Sequence, residues 1–188
     1  MAPLDLIAAE APSSSWNSAA RLRLAIERAH DGAAVDALMQ RAFGPGHYAK
    51  VSERLREGNV MRRDLSFCAW SGETLAGAVR IWPVRAGGVA FLFLGPIGVD
   101  EAFQHLGLAS LLVERACEAG AAAGEPLIAL VGAKALFEPL GFSVVPQGRL
   151  ELPGPVDTGR VFWRALRDGG EDGIAGPVKI ASDLGVAS

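Results

Sequence analysis

Residues 95–120, "GPIGVDEAFQHLGLASLLVERACEAG", decide how this chain is read. An apolar run ends in glycine and proline. "QHLGLA" (104–109) then opens a helix with an apolar face through Leu108, Leu111, Leu112 and Ala116, which Gly124 ends. The first N–H groups of a helix have no intrahelical acceptor and carry partial positive charge, so such a start receives anions. Gly107 and Ala109 keep side chains away from those amides, and Gly107 can adopt angles that turn successive N–H groups inward. The hexapeptide holds no permanent cation, so any anion here rests on backbone donors. Taken by itself it also reads as a tight strand-to-helix turn that requires a glycine.

The residues just upstream shift that balance. Gly95, Pro96 and Gly98 lie within the apolar strand expected over 89–99, where they weaken pairing and predict a bulge. A bulged strand end splays from its neighbour and frees backbone groups to pair with an extended, amide-bearing ligand. Amide pairing on a strand, followed by phosphate pairing at a helix start, suits coenzyme A, a pantetheine arm joined to a pyrophosphate.

Outward from this stretch, the elements alternate in kind. Leu22, Leu24 and Ile26 alternate with Arg23, Ala25 and Glu27 as a half-buried strand in "RLRLAIERA" (21–29). A helix follows with Val35, Leu38, Met39 and Phe43 at helical spacing and Asp31 as its N-cap; a second, short helix ends at Gly58. Strands are expected over 65–70, 74–84 and 89–99, joined by "SGE" and "RAGG" as antiparallel hairpins. Beyond the central helix come a buried strand (126–132), a helical turn in "AKALFEPL", a strand in "GFSVV" and a last strand in "RVFWRAL" (160–166). The Gly-rich remainder is expected to pack loosely, with "GPVKI" able to add a short extended segment. This order is mixed α/β. Residues 1–20 read as a disordered tail, 21–180 as one domain and 181–188 as a second tail.

Composition excludes several classes. A formal charge of −3 and the lack of a continuous basic block argue against nucleic acid as partner. No apolar stretch reaches the roughly 18–20 residues that span a bilayer, and no basic segment precedes an apolar block at the start. Cytoplasm is therefore expected. Cys68 and Cys117 lack ligand spacing and read as buried thiols, and the three histidines form no metal-binding pattern, so no metal is expected. No G-x-G-x-x-G or P-loop follows the first strand, which removes the dinucleotide and nucleotide folds.

Gln104-His105-Leu106-Gly107-Leu108-Ala109, directly after "GPIGV", resembles the signature of the GNAT acetyltransferase superfamily: Gln or Arg, two residues, Gly, one residue, Gly or Ala. The likeness runs from about residue 21 to 180 in element order, and is greatest to a predicted N-acetyltransferase branch through "EPLGF" and "LPGPV". It implies a mostly antiparallel twisted sheet flanked by helices, with splayed central strands. It also implies acetyl-CoA, or another acyl-CoA, as co-substrate and a primary amine of a small molecule or peptide as acceptor. By the same likeness, the Leu106, Gly107, Leu108, Ala109 and Ser110 amides hold the pyrophosphate, with Gln104 and His105 in the motif. The backbone of Ile97, Gly98 and Val99 pairs with pantetheine, and the Val99 amide polarises the thioester carbonyl.

The relatives supply a proton from a tyrosine before "GF", where this chain has Leu136 and Phe137. General-acid help is worth roughly 10²- to 10⁴-fold, so its loss leaves two readings open: an N-acyltransferase, or an acyl-CoA-binding module with weak chemistry acting as sensor or partner subunit. Tyr48, the only tyrosine, reads either as a substitute donor or as an amphipathic residue packing a helix start; His47 beside it reads as solvated, and Glu138 either as a base or acceptor contact or as part of a solvated face. Arg80, in an apolar strand, either reaches an acidic acceptor or simply points outward; Trp82, Phe91 and Phe93 line either the core, as the default, or an acyl or acceptor pocket. The oligomeric state is open, with a homodimer among the options.

Overall fold

The computed structural model of the chain describes residues 22–44 and 51–181. Glycines at Gly72, Gly87 and Gly88 take φ of 58°, 59° and 82°, angles that a Cβ disfavours. They close two hairpins that set β2 (Phe67–Ser71), β3 (Thr74–Ala86) and β4 (Val89–Val99) side by side. β1 (Leu22–Ile26) extends this meander on one side; β5 (Leu127–Val131), β8 (Val161–Ala165) and β6 (Ser143–Val144) extend it on the other. β7 (Leu150–Glu151) pairs with β9 (Gly176–Pro177) as a separate ribbon, and β10 (Lys179–Ile180) pairs with the far end of β3. Within the main sheet only β4 and β5 run parallel. The expected mixed, mostly antiparallel sheet is the one that forms.

Alternation along the strands gives the sheet two faces. α1 (Gly32–Phe43) packs Val35, Leu38 and Met39 against Cys68 and Ala78. α3 (Leu108–Ala122) packs Leu108, Leu112, Val113 and Ala116 against Ala69, Val79 and Ile81, which point the opposite way. The short helices α2 (Val51–Arg54) and α4 (Lys134–Phe137) sit in the connections. Among the described residues no helix is long and apolar enough to cross a membrane.

The central strands splay as expected. β4 pairs with β5 only at Leu92–Ile128 and Phe93–Ala129. The predicted bulge is present as well: pairing passes from Val79–Ile97 to Ile81–Leu94, so β3 advances two residues while β4 advances three. The extra residue falls at Gly95–Pro96, where the peptide bond is cis, opposite Arg80.

Several sequence expectations need correction. In β1 the alternation slips at its end: Ile26 is 49% exposed and Glu27 is buried, because Glu27 turns inward to meet Arg80. Asp31 does not cap α1 with its side chain; its carboxylate accepts from the Arg28 amide at 2.8 Å. Phe43 and Leu111 are exposed despite their helical spacing. β2 begins two residues later than expected, since Arg63–Leu65 form a 3₁₀ turn. The Gly-rich C-terminal part is not loose. Ile174 and Val178 are core residues, and Arg149 donates to the Ile174 and Glu171 carbonyls.

Cys68 and Cys117 are buried as expected, and desolvation pushes both thiols up to about 12. An unfolded thiol ionises near 8.5. Stability is therefore intact below that pH and declines as pH rises from there toward the folded value. In the native protein at pH 8, Ellman's reagent should find no reactive thiol, and both should react on adding denaturant. Prompt reaction of either cysteine without denaturant would contradict this burial.

Candidate active site

Two backbone features meet at the end of β4. The Asp100 amide donates to the Ala76 carbonyl of the neighbouring strand at 2.9 Å. Amides alternate sides along a strand, so the Gly98 N–H faces β3 while the Ile97 and Val99 N–H groups face away from it. On that side the β5 ladder has already ended at Phe93. Gly98 also lets α1 approach, since a Cβ there would lie 2.7 Å from the Met39 sulfur.

The chain then enters the helix start that the sequence marks as a candidate cradle. The Asp100 carboxylate accepts from the Ala102 amide and from Arg41 of α1, which fixes the turn Glu101–Phe103. His105 and Gly107 both adopt left-handed backbone, with φ of 70° and 69°, so Gly107 is there for its conformation. The first helical hydrogen bond of α3 runs from the Leu111 amide to the Gly107 carbonyl. The amides of Leu108, Ala109 and Ser110 therefore have no acceptor within the helix, and among the described residues no side chain caps it. A Cβ on Gly107 would meet nothing within 4 Å. Gln104, His105, Leu106 and Gly107 are exposed, whereas the Leu108 side chain belongs to the core and only its backbone faces the opening.

The other predicted residues scatter. Phe137 is 3% exposed, edge-on to Phe142 at 5.7 Å between centroids and 6.4 Å from Phe162. Its ring lies directly over Gly132, where a Cβ would come within 2.1 Å of it. The position lacks a hydroxyl, and the ring is committed to the core. Glu138 pairs with Lys134 at 3.3 Å on the surface. Tyr48 and His47 lie outside the described residues.

A pocket opens beside the bulge, lined by Asp36, Met39, Glu53, Arg56, Glu57, Arg80, Trp82 and Pro96. Arg80 is neither pointing freely outward nor available to an acidic ligand. Its Nε and Nη2 donate to the Glu27 carboxylate, at 2.9 and 2.7 Å, and its Nη1 donates to Asp36 at 2.6 Å. The two carboxylates hold Arg80 above its ordinary pKa against the desolvation that opposes them. Trp82, read from sequence as core by default with a pocket as the alternative, is half-buried and faces this pocket, while Phe91 and Phe93 are core. The indole N–H of Trp82 donates to the Gly95 carbonyl at 2.7 Å, which pins the bulge. Sequence reading missed Glu27, Asp36, Glu53, Arg56 and Glu57. The usable signal was Arg80 itself, a charge within an apolar strand that requires a counter-charge.

A sequence profile of the acetyltransferase (GNAT) family matches residues 33–142, more than half of the chain. The chain belongs to the GNAT acetyltransferase family. It is 27% identical over 151 residues to an uncharacterised N-acetyltransferase of Escherichia coli K12, YhbS, covering 79% of this chain and 90% of that protein. The crystal structure of E. coli YhbS in complex with CoA superposes with a TM-score of 0.75 at 26% identity, covering 89% of this chain and 93% of that one. A family member from Brucella melitensis in complex with acetyl-CoA shares the fold, with a TM-score of 0.56 at 23% identity over 78% of this chain and 97% of the other.

Proposed function

We propose that the chain is an acyl-CoA-dependent N-acyltransferase that moves an acetyl group from acetyl-CoA to a primary amine. The observation that carries this reading is the continuity of the free β4 edge with the uncapped start of α3. One offers amide pairing to a pantetheine arm. The other offers phosphate pairing about one short loop away. Membership of an acetyltransferase family supports it, as do the CoA and acetyl-CoA found in the E. coli and Brucella relatives.

In this scheme the Ile97–Val99 backbone holds pantetheine and the amides of Leu106–Ser110 hold the pyrophosphate, with Gln104 and His105 shaping the loop. The neutral amine attacks the thioester carbonyl, forming C–N while the Val99 N–H stabilises the oxyanion. The C–S bond then breaks, the thiolate leaves with the electron pair, and the nitrogen passes its extra proton to solvent. Phe137 offers no acid. A thiol with pKa near 8.5 leaves without obligatory protonation, and Tyr48 and Glu138 remain the side chains proposed to assist. Cys68 and Cys117 are unpaired and buried, which fits the cytoplasmic site of action proposed here.

The test is a panel of primary amines incubated with acetyl-CoA, following free thiol and acetylated product together. Equimolar thiol and N-acetyl product supports transfer. Acetyl-CoA binding with no amine consumed would instead assign the chain to the binding-module class.

A further inference from the structure

The pocket at the bulge carries an unbalanced charge. Asp36, Glu53 and Glu57 line it together with Arg56 and Arg80, and Glu27 stands buried behind Arg80. Both guanidiniums are already engaged, Arg56 by Glu53 and Arg80 by Glu27 and Asp36. Four carboxylates thus face two guanidiniums, and among the described lining residues no cation remains to receive an acidic group. Asp36 gives only its Oδ1 to Arg80, and its side chain is 59% exposed. Glu57 is exposed at the rim and has no ion-pair partner among the described residues.

Trp82 reinforces the preference. Because its N–H is spent on the Gly95 carbonyl, the pocket receives the ring without its donor, a surface that attracts cations. Met39 and Pro96 supply apolar wall for methylene groups. Pro96, which lines the pocket, immediately precedes the Ile97–Val99 backbone proposed to hold the thioester. The attacking nitrogen must be neutral, so the negative charge serves a different group on the same molecule.

Resting on the acetyl-transfer reading, we infer that the acceptor is an amine bearing a second cationic group, of the diamine or polyamine class, and that Asp36 is the specificity-determining residue. Its free oxygen receives the distal ammonium while Arg80 holds the carboxylate in place.

Three four-carbon amines test this: 1,4-diaminobutane, 1-butylamine and 4-aminobutanoate, titrated calorimetrically into the full chain and then offered as acceptors with acetyl-CoA. Diaminobutane should bind about tenfold more tightly than butylamine, the low end for a charge-assisted contact at a half-open site. Aminobutanoate should bind least. Asp36→Asn keeps an oxygen for Arg80 and should erase the diamine advantage; Asp36→Glu should retain part of it. Equal binding of the three amines, no binding of diaminobutane, or an advantage unchanged in Asp36→Asn would overturn the inference. The two readings separate cleanly. Selective, Asp36-dependent binding with no acetylation removes the transferase reading alone, whereas acetylation with no diamine preference removes the specificity alone.

Discussion

Replacing Val99 by proline is expected to lower kcat by about 10²- to 10³-fold, the usual effect of deleting one oxyanion donor, and to weaken acetyl-CoA binding as well, because the same backbone is proposed to pair with pantetheine. The substitution is clean for a geometric reason. The Val99 N–H faces away from β3, so its loss breaks no bond in that ladder, and β5 has already diverged. β4 is thus locally an edge, where proline is tolerated. The preceding residue, Gly98, accepts the backbone restriction that proline imposes. Val99→Ala controls for the lost side chain and should retain most of the rate. Steady-state kinetics with a calorimetric Kd for acetyl-CoA reads both quantities. A proline variant as fast as the alanine variant would remove this amide from the mechanism.

The second large effect concerns stability. Arg80→Met should cost about 3–5 kcal/mol in urea unfolding, because it leaves a buried carboxylate without a partner. The Glu27 side chain is 0% exposed, against 14% for Arg80. The network also joins the end of β1, the strand opposite the bulge and the start of α1, since Arg80 reaches the Gly32 carbonyl. The double variant Glu27→Leu with Arg80→Met removes both charges and should recover much of that loss, because apolar replacement of a buried pair is often neutral or better. If Arg80→Met alone cost less than about 1 kcal/mol, as an exposed pair would, the pair could not be buried as described.

What the sequence disclosed followed physical necessity. A left-handed backbone at Gly107 and broken strand pairing at Gly95–Pro96 are local demands written in residue type, so the open helix start and the bulge could both be read. The hairpins at Gly72 and Gly87–Gly88 were legible for the same reason. Long-range pairing was not. Arg80 finds Glu27 from 53 positions away, and the alternation of β1 assigned Glu27 to the solvent side until a slip at Ile26 reversed it. The pocket beside the bulge draws on α1, α2, β3 and β4, elements whose association no local pattern specifies. Phe137 was noticed for the hydroxyl it lacks; that its ring fills the space left by Gly132 is a tertiary fact.

The central claim is that acyl-CoA lies along the free β4 edge with its pyrophosphate on the first amides of α3. Calorimetric titration of acetyl-CoA into the wild-type chain and into Gly107→Glu tests it most directly. A glutamate there would place a carboxylate in the open space before the amides, at a backbone angle it disfavours. The account predicts saturable one-to-one binding to the wild type and loss of at least about a hundredfold in affinity for the variant, from like-charge repulsion and lost amide contacts together. Equal affinity in the two proteins, or no binding by the wild type, would contradict it.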